Sequence, residues 1–141
     1  MPGPNEFAEY VRWLGQQAFG GLLYGWPITV ALALAIAVAG VWQLRRCRSF
    51  LRLLVLIVPL TFPLLFLIWG TIMRVPAGSS PPSWPQTVLL LLFIAQLGIG
   101  VASVFFTAGA RWFAAFIVAF SLWCGYWCAL LGVMSVGGVW L

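Results

Sequence analysis

The sequence predicts an all-α integral membrane protein, with four transmembrane helices in two hairpins behind an N-terminal amphipathic surface helix. Three observations predict it. Of 141 residues, 64% are apolar and 6% charged, where soluble domains carry about 25% charge. Four apolar runs approach the ~20 residues that take a helix across ~30 Å of hydrocarbon. The joins between the runs hold five of the nine charged residues and four of the nine prolines. Such a composition excludes a soluble enzyme, a nucleic-acid-binding domain and a disordered tail.

Residues 1–20 form the predicted interfacial helix. Asn5 can cap it, and Glu6 and Glu9 suit its positive end. Phe7, Tyr10, Val11, Leu14 and Ala18 recur at i, i+3, i+4, i+7 and i+11, which puts them on one face. The expectation is a helix flat on the outer membrane surface or against a partner. It does not read as a signal peptide, because Glu6, Glu9 and Arg12 precede any long apolar run.

Residues 21–141 form the predicted four-helix domain, with spans at about 22–44 (beginning at Leu22 or Pro27), 51–73, 87–107 and 112–134. Arg52, at the edge of the second span, can snorkel to the headgroups. Pro59 and Pro63 each remove a helical hydrogen bond, which predicts a kink near Val55 to Pro59. Arg45 to Phe50 and Ala108 to Arg111 are short joins. Arg74 to Gln86 carries Pro76, Pro81, Pro82 and Pro85 and cannot continue a helix.

Five arginines (Arg45, Arg46, Arg48, Arg52, Arg111) fall on one side of this layout and two (Arg12, Arg74) on the other. The positive-inside rule puts the five in the cytoplasm. The expected location is a cell inner membrane, with both termini on the non-cytoplasmic side. Lysine-free, Ala-, Gly- and Arg-rich usage suggests a bacterial source. Arg45, Arg46, Arg48 and Arg52 are candidate contacts for anionic lipid or a cytoplasmic partner, beside their role in orientation.

Trp26 to Gly40 matches Trp84 to Gly98, 58 residues later, at nine of fifteen positions. The pattern is that of a parallel repeat about an axis along the membrane normal. Apolar spans that begin with Trp-Pro also match by composition alone.

Two helix faces stand out. Gln96, Gly100, Ser103 and Thr107 share one face of the third span. Ser121, Gly125, Cys128 and Gly132 share one face of the fourth. Small residues let helices approach closely in lipid, and a buried amide seeks a partner there. These eight are the candidate helix-packing residues, with Gln96 bonding to Ser121 or a backbone carbonyl; the alternative is a polar path or ligand contact. Opposite the small face run Trp112, Phe116, Phe120, Trp123 and Trp127, candidates for contact with lipid, a pigment or a partner subunit. Carotenoid or quinone could rest on such faces.

The charged set is seven Arg and two Glu, with no His, Lys or Asp. Conventional acid–base or nucleophilic catalysis lacks its parts. Cys124 and Cys128 fall short of a metal site on ligand count, and with Cys47 they form no disulfide framework. The expected function is that of a small non-catalytic integral membrane subunit, which packs within and stabilises a larger complex among lipids and other membrane subunits. The alternative is a self-assembling channel, transporter or membrane-perturbing effector, built as a homo-oligomer. No nucleic-acid partner, catalytic residue or metal is expected.

Overall fold

A computed structural model describes residues 4–44, 54–75, 82–107 and 109–138. These residues form five helices and, among them, no strand: α1 Pro4–Tyr24, α2 Trp26–Leu44, α3 Ile57–Ile72, α4 Trp84–Phe106 and α5 Arg111–Gly137. The four stretches long and apolar enough to cross a membrane are Trp26–Gln43, Leu54–Ile72, Trp84–Phe106 and Arg111–Gly137. The chain is thus an all-helical protein built for a membrane.

Helix α5 is the axis of the molecule. It touches all four other helices, whereas α2, among the described residues, touches only α1 and α5. At 27 residues it is about 40 Å long, more than the hydrocarbon needs. Leu89, Gln96 and Gly100 of α4 meet Gly132, Gly125 and Val118 in turn, so α4 runs antiparallel to α5. In α3, Pro59 meets Ser121 and Gly70 meets Gly132, so α3 runs parallel to α5.

The path of α1 and α2 departs from the expected layout. Tyr10 lies at Ser135, Gly21 at Trp127, Gly25 at Trp123 and Gly40 at Phe113. The two helices therefore follow α5 one after the other, antiparallel to it. α1 continues to Tyr24, four residues past the expected end at residue 20, and begins at Pro4, so Asn5 lies inside its first turn. Proline suits that first position because its missing N–H would be unpaired there anyway. Tyr10, Leu14 and Ala18 are buried while Val11 is 45% exposed. The buried face packs on this chain's own α5 and α3.

The break at Gly25 has a local cause. Pro27 has no N–H to give the preceding turn. The Thr29 hydroxyl stands 2.9 Å from the Leu22 carbonyl and 3.2 Å from that of Gly25. It can thereby serve the Leu22 carbonyl in the last turn of α1. An irregular backbone inside an apolar bundle needs such replacement bonds.

The two halves pack differently. α4 and α5 form a contacting pair, but α2 and α3 do not touch among the described residues. A twofold relating the halves would make those pairs alike. The likeness is local: Thr29 N–H bonds the Gly25 carbonyl, and Thr87 N–H bonds that of Ser83, 58 residues on. Trp123 and Trp127 hold α2 and the end of α1 on α5, while the small face of α5 receives α3.

Segment Leu54–Leu56 is a 3₁₀ turn leading into α3. The disturbance expected from Pro59 thus falls at the start of the helix, and Pro63 alone lies in its interior. Between α4 and α5 the chain turns at Gly109, whose φ of +96° suits glycine.

Candidate functional site

Two buried serines on α5 organise the polar interior. The first is Ser121. Pro63 lacks an N–H, so the carbonyl four residues earlier, on Pro59, loses its helical donor. The Ser121 hydroxyl, reaching across from α5, donates to that carbonyl. Gln96 of α4 is wholly buried, and its Nε2 donates to the Ser121 carbonyl and hydroxyl oxygens, both at 3.0 Å. One serine therefore joins three helices. Gln96 Oε1 has no hydrogen-bond donor among the described residues. It lies over Gly125, where any Cβ would collide with the amide; a weak Cα–H contact is what the glycine can offer it.

The second node is Ser135. Its hydroxyl donates to the Gly70 carbonyl at 2.6 Å. That carbonyl lies in the last turn of α3, where helical donors run out. Since the serine proton is committed there, Tyr10 donates its phenolic proton to Ser135 Oγ, at 2.6 Å. The Arg74 guanidinium stands 4.1 Å above the Tyr10 ring, within cation–π range. Burial raises the Tyr10 pKa above its ordinary value, and the Ser135 bond and Arg74 charge oppose that rise. The phenol thus stays protonated at neutral pH. Val75 N–H closes the node on the Ser135 carbonyl at 3.2 Å.

The remaining residues of the small faces fill space around these nodes. A Cβ on Gly70 would sit 2.9 Å from the Gly132 Cα, which is backbone against backbone. A Cβ on Gly100 would come within 2.7 Å of Val118. Cys128 is buried. Ser103 and Thr107 turn their hydroxyls onto their own helix, to the Ile99 and Ser103 carbonyls at 2.8 Å each. They therefore do not extend the Gln96 bond into a polar path.

The aromatic stripe divides. Trp112 is 73% exposed, and Phe116 lines a groove between α2 and α5. Phe120 is half-buried. Trp123 and Trp127 pack edge to face, with centroids 5.8 Å apart. They close on Gly25 and Gly21, and Trp123 Nε1 donates to the Thr29 hydroxyl at 3.0 Å. The partner that this part of the stripe meets is its own chain. Glycines spaced by four at 21 and 25, facing tryptophans spaced by four at 123 and 127, are the signal that could have revealed the clasp. The Tyr10–Ser135 bond had no such signal, since it depends on where α1 lies.

Arg45, Arg46, Arg48, Arg52 and Cys47 lie outside the described residues. Among the described residues no three His, Cys, Asp or Glu gather as metal ligands. The arrangement can hold helices in register, and it presents one helix, α2, largely uncovered. Comparison of the chain with protein-family models, with curated proteins and with solved structures found no match.

Proposed function

We propose that this chain is a small non-catalytic membrane subunit that packs within a larger membrane complex and stabilises it. The observation that carries this reading is the state of α2. Only 6% of its membrane stretch is buried, against 22% to 33% in the other three. Val30, Ala33, Ala37 and Val41 are all exposed on the flank away from Phe116 and Trp112. Alanines permit close helix approach, the usual source of association energy in lipid. A neighbouring subunit's helix fits that flank.

The amphipathic α1 is read as a brace that sets the angle of α2. The repeated Trp-Pro opening of α2 and α4 is read as a shared way to start a helix at this depth, inside a hairpin layout set by the membrane. In this reading the arginine-bearing end faces the cytoplasm of a bacterial inner membrane.

Extraction from native membranes in a mild detergent tests the proposal. The expected outcome is co-purification in fixed ratio with larger, different membrane subunits, and loss of that association in Ala37→Phe with helicity unchanged. A pure homo-oligomer that conducts solutes in liposomes would overturn it in favour of a channel.

A further inference from the structure

The groove between α2 and α5 occupies about 490 Å³. Leu34, Val38 and Trp42 line it from α2, and Trp112 and Phe116 from α5. Ala35 and Ala39 are its small members and leave the room that larger side chains would fill. Among the described residues no polar side chain lines it. From Leu34 to Trp42 the groove covers nine residues, an axial span of about 12 Å at 1.5 Å per residue. That is most of one leaflet's share of a ~30 Å hydrocarbon core.

One end of the groove differs from the other. Trp42 and Trp112 stand there, the residue type that favours the headgroup level. Arg111, exposed, directly precedes Trp112. The chain also runs from Leu44 straight into Arg45 and Arg46 in sequence. The only two carboxylates, Glu6 and Glu9, belong to α1, which packs along the far half of α5 through Tyr10–Ser135 and Gly21–Trp127. Nothing acidic in the sequence offsets the positive end.

We infer that this groove seats an acyl chain of an anionic glycerophospholipid from the leaflet at the arginine-bearing end, with the headgroup phosphate at Arg111. Apolar lining, leaflet-scale length, interfacial tryptophans and unbalanced positive charge at one mouth together match a lipid. They match it better than a second copy of this chain, which would bring its own arginines to the same mouth. The inference stands apart from the accessory-subunit reading, since it uses the other flank of α2.

The test uses the purified full chain in a neutral detergent, titrated with phosphatidylglycerol or phosphatidylcholine of the same acyl chains. Retained lipid is counted by native mass spectrometry, and apparent Tm is followed. The expected result is one retained phosphatidylglycerol and a larger Tm rise than with phosphatidylcholine. Arg111→Gln should lower the phosphatidylglycerol preference roughly fivefold, the equivalent of one basic residue near an anionic surface. Ala39→Trp should abolish retention of both lipids, and Ala37→Phe on the opposite flank should leave it intact. Because Arg111 is exposed, its variant keeps the test decisive should Ala39→Trp not fold. Equal binding of the two lipids, an unchanged preference in Arg111→Gln, or a dimer that Ala39→Trp disrupts would each overturn the inference.

Discussion

Ser121 carries two polar duties at once. Its hydroxyl serves a carbonyl that Pro63 leaves without a donor, and it accepts from Gln96 at the same time. Gln96→Leu removes two bonds but leaves Ser121 and Pro59 paired, so it should cost about 0.6–2 kcal/mol. Ser121→Ala leaves the Pro59 carbonyl bare and Gln96 with only the backbone oxygen. It should cost more, about 1–3 kcal/mol for the unsatisfied group. The double variant should cost less than the sum, because the two share a bond. Reversible unfolding in mixed micelles measures all three, and strict additivity would show the residues to be independent. Tyr10 gives a pH prediction at the same scale. Its pKa is raised in the folded chain above the ordinary 10.0. The stability from its protonated form is therefore complete below pH 10 and lost as pH rises through the higher folded value. Protease access to α1 should increase in that alkaline range, and Tyr10→Phe should flatten the dependence.

At the scale of the helix, glycines decide how near α3 and α4 can come to α5. Gly70→Ala drives a methyl into the Gly132 backbone, where no side chain can swing aside, and should destabilise by about 1–3 kcal/mol. Gly98 has nothing within 4 Å, so Gly98→Ala should be neutral or slightly stabilising; thermal unfolding of the pair separates packing from helix propensity. Spans of this kind are the most legible feature of the sequence, because ~20 apolar residues bounded by arginine and proline leave a membrane chain few alternatives. The small faces containing Gln96 and Ser121 could be read from spacing for the same reason. The course of α1 could not. Its apolar face fits a membrane surface, a partner or α5 equally well, and only the position of Ser135 and the Gly21–Trp127 fit distinguishes them. Nor could spacing show that α2 and α3, neighbours in sequence, stay apart, because apolar periodicity says which face is apolar and not which helix it meets.

For the whole molecule, the packing is radial. Four helices are held to one, and the outermost, α2, meets Trp123 through Thr29 and Phe113 through Gly40, while Trp127 holds Gly21 near the end of α1. Replacing the clasp from the α1 side, as in Gly25→Val, forces a branched side chain into Trp123. It should loosen α2 while leaving the α3–α4–α5 core folded. Limited proteolysis in detergent would then cut near Gly25 and spare the remainder, whereas global loss of helicity would show that α2 is integral to the core. Radial packing also has a consequence in time. A ribosome delivers α1, α2, α3 and α4 before α5, at about 5–20 residues per second. Until α5 emerges, Pro59 and Gly70 lack their serine donors, Gln96 lacks its acceptors, and α2 has only α1 to lean on. The early helices must wait, inserted but unassembled, for the last of the five, and that interval is when chaperones or quality-control proteases have their best opportunity to engage this chain.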